Sequence, residues 1–435
     1  MKTKQKMSLH LRVIMQILVT ISLFLNHYEV EGEQRLSKAE DLELEKQLKL
    51  LNKPAIKTIK GKYVEIYDCV DFYKQPAFDH PLLKNHNFHP EMKPTFFNLR
   101  RDDISSKMNR PFNIELEGGG CPPGTVPIRR ITKEDLIRRR LASQIRDVDD
   151  SPDGDGIESN VSDGTKHPKG FGGGYKFASV QIPYKLRIKM AGVGAIISLH
   201  NPQHLSGHEH SGGRIKVQKG IDSIQVGWTV SPPVYGDTHT RSYTYFKAGK
   251  LGCYNTRCPG FVHVNTAIPL DGKLPGSSYG GPIYDIPMEI ARDIPSGNWW
   301  FHLGIGSQFT PIGFWPAKIF TSLKGFATSA EFGGVVYSPP GVREPSMGSG
   351  YFPVGDLKKD AYFRKSTYFT DKRQSKSLDE ISVKSFASSP NLYRVTDYPN
   401  AGGGNENIVL SLLKKRVFSI AYFRPHFLVE KKSTT

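Results

Sequence analysis

Phe177-Ala178-Ser179-Val180-Gln181-Ile182 sets the fold class of this chain. Apolar and polar residues alternate along it, the two-residue period of a half-buried strand. Leu186-Arg187-Ile188-Lys189-Met190, Ala195-Ile196-Ile197-Ser198-Leu199 and Arg214-Ile215-Lys216-Val217 follow the same style. Each is short, alternating or rich in β-branched residues, and bounded by Gly or Pro. Similar pieces recur to about residue 370 with no helical pattern between them. An all-β, antiparallel β-sandwich over residues 175–375 is therefore expected, in preference to an α/β fold. The 42 Gly and 30 Pro among 435 residues supply the turns such a fold needs, and the 11% aromatic content supplies material for its core.

Upstream, the pattern changes. Leu44, Leu48 and Leu51 recur at helical spacing, Ser37 and Glu40 form a capping box, and Lys53-Pro54 stops the run. Tyr63-Val64-Glu65-Ile66-Tyr67 alternates like a strand, and Thr132 to Ile145 reads as a short helix. Residues 33–145 thus form a small α+β region. Residues 146–174, crowded with Asp, Gly, Ser and Pro, read as a flexible linker open to proteolytic cutting. The sequon Asn160-Val161-Ser162 within it is a candidate glycosylation site. Residues 376–435 form a divergent C-terminal tail.

The first 32 residues have the layout of a secretory signal. Lys2, Lys4, Lys6 and Arg12 precede an apolar run, Val13 to Leu25, that is short for a membrane span. A secreted, extracellular protein without stable membrane insertion after cleavage is expected. An even cysteine count suits that route. Cys253 and Cys258 flank four residues rich in turn formers and can close a small loop, leaving Cys69 and Cys121 for each other. The formal charge is +17, yet the Lys and Arg are scattered and form no nucleic-acid-binding motif. A solvated basic surface, or adsorption to extracellular polyanions, accounts for it.

The stretch from Ile221 to Phe352 carries a series of unusual words. They include Gln225-Val226-Gly227-Trp228-Thr229-Val230, Pro233-Val234-Tyr235-Gly236-Asp237, Gly297-Asn298-Trp299-Trp300, Gly313-Phe314-Trp315-Pro316 and Phe332-Gly333-Gly334-Val335. Their order and spacing resemble the neprosin family, secreted plant proteins that are glutamic prolyl endopeptidases. The words from Cys69 to His86, with Cys121-Pro122 and Gly124 to Arg130, resemble the family's activation-peptide domain. The resemblance implies a pro-domain, two packed sheets with a groove on one face, and two catalytic glutamates. One glutamate belongs two residues before Gly-Trp and the other directly after Phe/Trp-Gly-Gly. Those positions hold Gln225 and Val335.

Peptide hydrolysis by carboxyl chemistry needs one group to activate water and a donor to polarise the carbonyl and protonate the leaving nitrogen. An amide such as Gln225 can orient water or donate to an oxyanion, whereas the isopropyl group of Val335 can do neither. Glu331 is the nearest stand-in. Strand geometry keeps it on Val335's face but roughly 13 Å away unless Gly333-Gly334 bulge. Asp222, three residues from Gln225, belongs on the other face, and Asp237 reads as a turn residue. Trp228, Tyr235, Trp299 and Trp300 are candidate groove walls, since flat rings stack on proline.

His200, His204, His208 and His210 are close enough in sequence to suggest a metal, but Pro202 and Gly207 break any helix that would align them. No metal and no cofactor is expected. Two readings follow. One is a peptidase fold that has lost or reduced turnover and binds proline-containing peptides or wall polyanions. The other is an active prolyl endopeptidase made as a zymogen.

Overall fold

The computed structural model describes residues 37–61, 65–95, 112–142, 174–306, 308–397 and 409–413. The signal segment, the linker as far as residue 173 with its Asn160 sequon, and the last residues of the tail lie outside them.

The helix α1 (Lys38–Leu51) begins where the sequence placed its cap. Ser37 Oγ accepts from the Glu40 backbone N–H at 3.2 Å, and Glu40 Oε2 accepts from the Ser37 N–H at 2.9 Å. The remainder of the described chain forms three sheets. The strands β1 (Ala55–Lys60), β2 (Ile66–Asp71) and β3 (Thr125–Arg129) make a small antiparallel sheet. It is followed by α2 (Lys133–Ala142). The Cys69–Cys121 disulfide is present and lies in an apolar cluster with Ile59, Tyr67 and Leu116. A second cluster joins Val70, Phe72, Val126 and Ile128 of this region to Val262, Trp300 and Phe314 of the sandwich.

The sandwich starts at β4 (Gly174–Ile182), as the alternation at Phe177 to Ile182 requires. Next come β5 (Met190–Ser198), β6 (His210–Lys219), β7 (Asp222–Val230), β8 (Arg241–Ala248) and β9 (Leu251–Tyr254). They are followed by β10 (Val262–His263), β11 (Asp285–Arg292), β12 (Trp299–Ile305), β13 (Gln308–Trp315), β14 (Ser329–Ser338) and β15 (Phe363–Thr370). Pairing is antiparallel throughout. One sheet runs β4-β14-β6-β7-β8-β9, the other β10-β13-β12-β11-β5-β15.

Side-chain alternation sorts each strand into an inner and an outer face. Val180, Ile215, Val217, Ile224, Val226 and Phe332 of the first sheet share one core cluster with Val193, Ile197, Ile286, Met288, Ile290 and Phe301 of the second. That shared cluster makes the two sheets a sandwich. The residues between them on each strand face outward, and on the first sheet many of these are polar.

The strands run past residue 375, where the sequence reading ended the sandwich. The strands β16 (Ser375–Ser377), β17 (Lys384–Ala387), β18 (Tyr393–Asp397) and β19 (Val409–Leu413) add to the sheets. In particular, β17 extends the first sheet beside β4, and β19 joins the second beside β15. The start of the tail is thus sheet edge. The short Cys253–Cys258 disulfide closes the turn after β9.

Candidate active-site groove

The outer face of the first sheet can be read row by row from its registers. The first row runs Gln181, Glu331, Lys216, Gln225, Tyr245, Tyr254 across β4, β14, β6, β7, β8 and β9. The second runs Ser179, Gly333, Arg214, Gly227, Tyr243, and the third Phe177, Val335, Gly212, Thr229, Arg241. Gln225 and Glu331 therefore share a row, two strands apart. Val335 lies two rows over, opposite Gly212, with Thr229 on the next strand. The ladders of β14 show no register shift at Gly333-Gly334, so no bulge draws Glu331 toward Val335's place. The two remain separated by the roughly 13 Å of four extended residues.

Arg214 joins the two row-mates. It is fully buried, with glycine on the neighbouring strand at either side. Its Nη1 donates to Gln225 Oε1 at 2.6 Å, and its Nη2 donates to Glu331 Oε1 at 3.3 Å. The guanidinium is a donor only, so both facing oxygens act as acceptors. The Phe177 ring lies 5.3 Å from its carbon. Val335 is a buried apolar residue with no capacity for proton transfer.

The aromatic candidates separate. Trp228 points into the core between the sheets, and Trp299 does the same with its Nε1 donating to Leu323 O at 2.8 Å. Trp300 packs in the cluster that joins the three-stranded sheet to the sandwich. None of these three walls the groove beside Gln225. The reason is parity: Trp228 is an odd number of residues from Gln225, and the other two belong to the opposite sheet. Of the four, only Tyr235 stands at an end of the groove. It sits in the single helical turn Pro232–Tyr235 after β7, with the guanidinium carbons of Arg129, Arg241 and Arg257 at 5.3, 4.9 and 5.1 Å from its ring.

Asp222 is on the inner side, as alternation demands. Its carboxylate accepts from the backbone of Thr321, Ser322 and Leu323 and from Gly249. Asp237 does more than turn the chain: its Oδ2 accepts from Arg241 at 2.6 Å. Among the histidines, His200 and His210 are buried, and burial holds both down to about 3. Among the described residues no three His, Cys, Asp or Glu side chains gather at one point.

The sequence reading passed over Arg214, Lys216, Arg241 and Lys273. The signal was in Arg214-Ile215-Lys216-Val217, where a strand pattern places two cations on the face opposite the core. Arg241 and Lys273 meet Glu65, the residue just before β2. Arg241 Nη2 donates to Glu65 Oε1, and Lys273 Nζ lies 3.0 Å from the same oxygen. Burial raises the Glu65 carboxyl, but the bonds from Arg241 and then Lys273 outweigh it and hold Glu65 below its ordinary range.

Two family models match this sequence: neprosin over residues 207–410 and the neprosin activation peptide over residues 56–172. The chain belongs to the neprosin family. The neprosin match extends beyond residue 375, in agreement with the added strands, and the activation-peptide match takes in the linker. Among solved structures, the fold is similar to a Scytalido-glutamic peptidase bound to a peptide-based transition-state analogue. That pair is 10% identical with a TM-score of 0.32, covering 54% of this chain and 97% of the other. It is also similar to SCP-B, a member of the eqolisin family of peptidases, in complex with the tripeptide Ala-Ile-His. There the identity is 10% and the TM-score 0.30, covering 54% and 96%. At those values neither structure carries residue correspondences to this neprosin-family chain.

Proposed function

We propose that this neprosin-family protein is a secreted binder of proline-containing peptides that has lost or greatly reduced peptidase turnover. The observation that carries the reading is the Arg214 bridge. The one carboxylate in Gln225's row, Glu331, and the amide oxygen of Gln225 both accept from the same guanidinium. At the position where the family's motif calls for the second glutamate stands Val335. Among the described residues, the one carboxylate in that row, Glu331, has an oxygen engaged by Arg214, which competes with a water for it while Arg214 keeps its station. The glycine-lined rows and flanking tyrosines of the sheet face support the reading of a site for an extended chain.

Secretion to the cell wall or apoplast is supported by the basic-then-apolar N-terminus and by the two disulfides. Among the described residues no helix is long and apolar enough to cross a membrane. The excess of Lys and Arg favours adsorption to wall polyanions as a secondary property.

The alternative, an active prolyl endopeptidase made as a zymogen, draws on one observation: Glu331 is in Gln225's row. If Arg214 swung aside, the row would hold a glutamine–glutamate pair. The full chain, acidified and incubated with a proline-rich peptide, separates the readings. The expected result is binding without cleavage. Cleavage after proline that is abolished by Glu331→Gln would overturn the proposal in favour of the alternative.

A further inference from the structure

The second sheet carries an apolar row on its outer face in addition to its apolar inner face. Its registers align Val262, Phe314, Trp300, Ala291, Gly192 and Phe369 across β10, β13, β12, β11, β5 and β15. Their neighbours in sequence, Phe261, Trp315, Trp299 and Phe301, point into the core between the sheets. An antiparallel sheet commonly leaves one face to water, so a sheet apolar on both faces needs cover on both. At the far end of the row, Ile294 and Phe326 lie against Ala291 and Phe369. At the near end the cover comes from the activation-peptide region. There Val70, Phe72, Ala77, Val126 and Ile128 pack on Val262, Trp300 and Phe314, all three of them buried. The Phe88 ring meets Phe314 edge-on, with 5.0 Å between centroids.

Polar contacts seal the edge of the same sheet. The strand β10 is its edge, and Gln75 takes both main-chain groups of His263. Gln75 Nε2 donates to His263 O at 3.2 Å, and Gln75 Oε1 accepts from the His263 N–H at 2.8 Å. In the loop that follows, Thr266 O accepts from the Cys121 N–H and Ala267 O from the Leu116 N–H, both at 2.8 Å. Gly120 permits this approach. Its φ is +83°, and a Cβ there would lie 2.5 Å from both the Ala267 Cα and Thr266 O. A further tie is Glu65, which accepts from the fully buried Arg241 of β8. Departure of the region would bare the apolar row, unpair the sheet edge and take from Arg241 one of its two carboxylates. Neither disulfide joins the two regions: Cys69–Cys121 closes within one and Cys253–Cys258 within the other. Apart from the linker, the hold is noncovalent.

We propose that the activation-peptide region is a permanent layer of this protein, and that a cut in the linker leaves it bound to the sandwich as a second chain. The surface it occupies is the outer face of the second sheet at its β10 edge. The inference rests on this interface and not on the reading of the groove as a peptide site.

The test uses the full chain with the recognition sequence of a site-specific protease inserted in residues 146–173. The chain is cut to completion and passed over a sizing column at neutral pH, first at micromolar and then at nanomolar concentration. The two pieces are expected to elute together at both. Release of the smaller piece, followed by a fluorescent label on it, gives the strength of the hold. Gln75→Leu leaves the His263 N–H and C=O without their partner and should speed release about tenfold or more. Gly120→Val drives a side chain into the Ala267 backbone and should speed it further. Should one variant fail to fold, the other carries the comparison. Separate elution of the two wild-type pieces overturns the proposal. Precipitation of the sandwich on cutting also overturns it, because a bound layer would keep the apolar row covered. Release that neither variant changes overturns the assignment of the hold to this face.

Discussion

Gln225 and Glu331 stand in one row of the sheet, each in register with Lys216 and each accepting a hydrogen bond from Arg214. The guanidinium is the physical link between two strands that are not neighbours. Replacing Arg214 by methionine leaves Glu331 without that partner in a buried place. The expected cost is about 3–5 kcal/mol, the usual penalty for breaking a buried ion pair from one side. Changing Glu331 to methionine as well removes the stranded charge and should restore most of the loss. Urea unfolding of the two variants checks this, and equal stabilities would show that Arg214 and Glu331 are not coupled.

The glycines of the groove are needed because strands approach closely. A Cβ on Gly227 would lie 2.0 Å from Gly213 O and 2.8 Å from the Arg214 Cα, both backbone atoms that cannot step aside. Gly227→Ala is expected to cost about 3 kcal/mol or more, in the class of overpacked sites. At Gly207 a Cβ meets nothing within 4 Å. Gly207→Ala should stay within about 0.5 kcal/mol of the parent, as open surface changes do. The pair forms an internal control, measured by the denaturation midpoint.

The fold was legible where local chemistry alone specifies structure. Ser37 and Glu40 cap α1 through neighbours in sequence, and Phe177 to Ile182 shows its two faces by alternation. Arg214 and Lys216 were equally visible as a polar face. What remained hidden was register. No feature of Glu331 taken singly reveals that it aligns with Lys216 and Gln225: β6 and β7 form a local hairpin, but β14 pairs with β6 across more than a hundred residues of chain. The same holds for Trp299 and Trp300: their neighbouring words in sequence suggested one groove, and the sheets place them in two separate clusters. Glu65 and Arg241 met for reasons of domain packing that pattern reading does not reach.

Acid should destabilise the chain, and the histidines set the range. Burial holds His200 and His210 down to about 3 and His263 down to about 4, so all three are neutral in the folded protein. Unfolded, each takes a proton near 6.5. The unfolded state thus binds more protons below that value, and stability falls as pH drops from about 6.5 toward the folded values, by about 1.4 kcal/mol per pH unit for each histidine.

Glu65 and Asp237 add to this at lower pH. For both, burial acts to raise the carboxyl, and Arg241 outweighs it and holds the group below its ordinary range. Their contribution is full above the unfolded values and is lost as pH falls through the lowered ones. Asp271 works in reverse, since burial raises it and protonation relieves a cost. The histidine contribution is felt first on acidification. Urea unfolding at pH 7, 6 and 5 should show a steep decline that His200→Gln makes shallower by about one proton; a flat profile over that range would refute it.

The two disulfides should differ in value because they close loops of different length. Cys69 and Cys121 are 52 residues apart, while Cys253 and Cys258 are 5 apart. Cross-linking restricts the unfolded chain more when the loop is long. By the chain-entropy relation the first bond contributes about 4 kcal/mol and the second about 2 kcal/mol. Cys69→Ser with Cys121→Ser should therefore lower stability roughly twice as much as Cys253→Ser with Cys258→Ser. The short loop has a second task, because Arg257 within it donates from both Nη atoms to Val234 O at 3.1 Å and lies over the Tyr235 ring. Serine at 253 and 258 should loosen that hold and expose Tyr235, read as faster hydrogen exchange in residues 232–236. If exchange there is unchanged while stability drops, the loop acts on the unfolded chain alone and the Arg257 clamp holds without its disulfide.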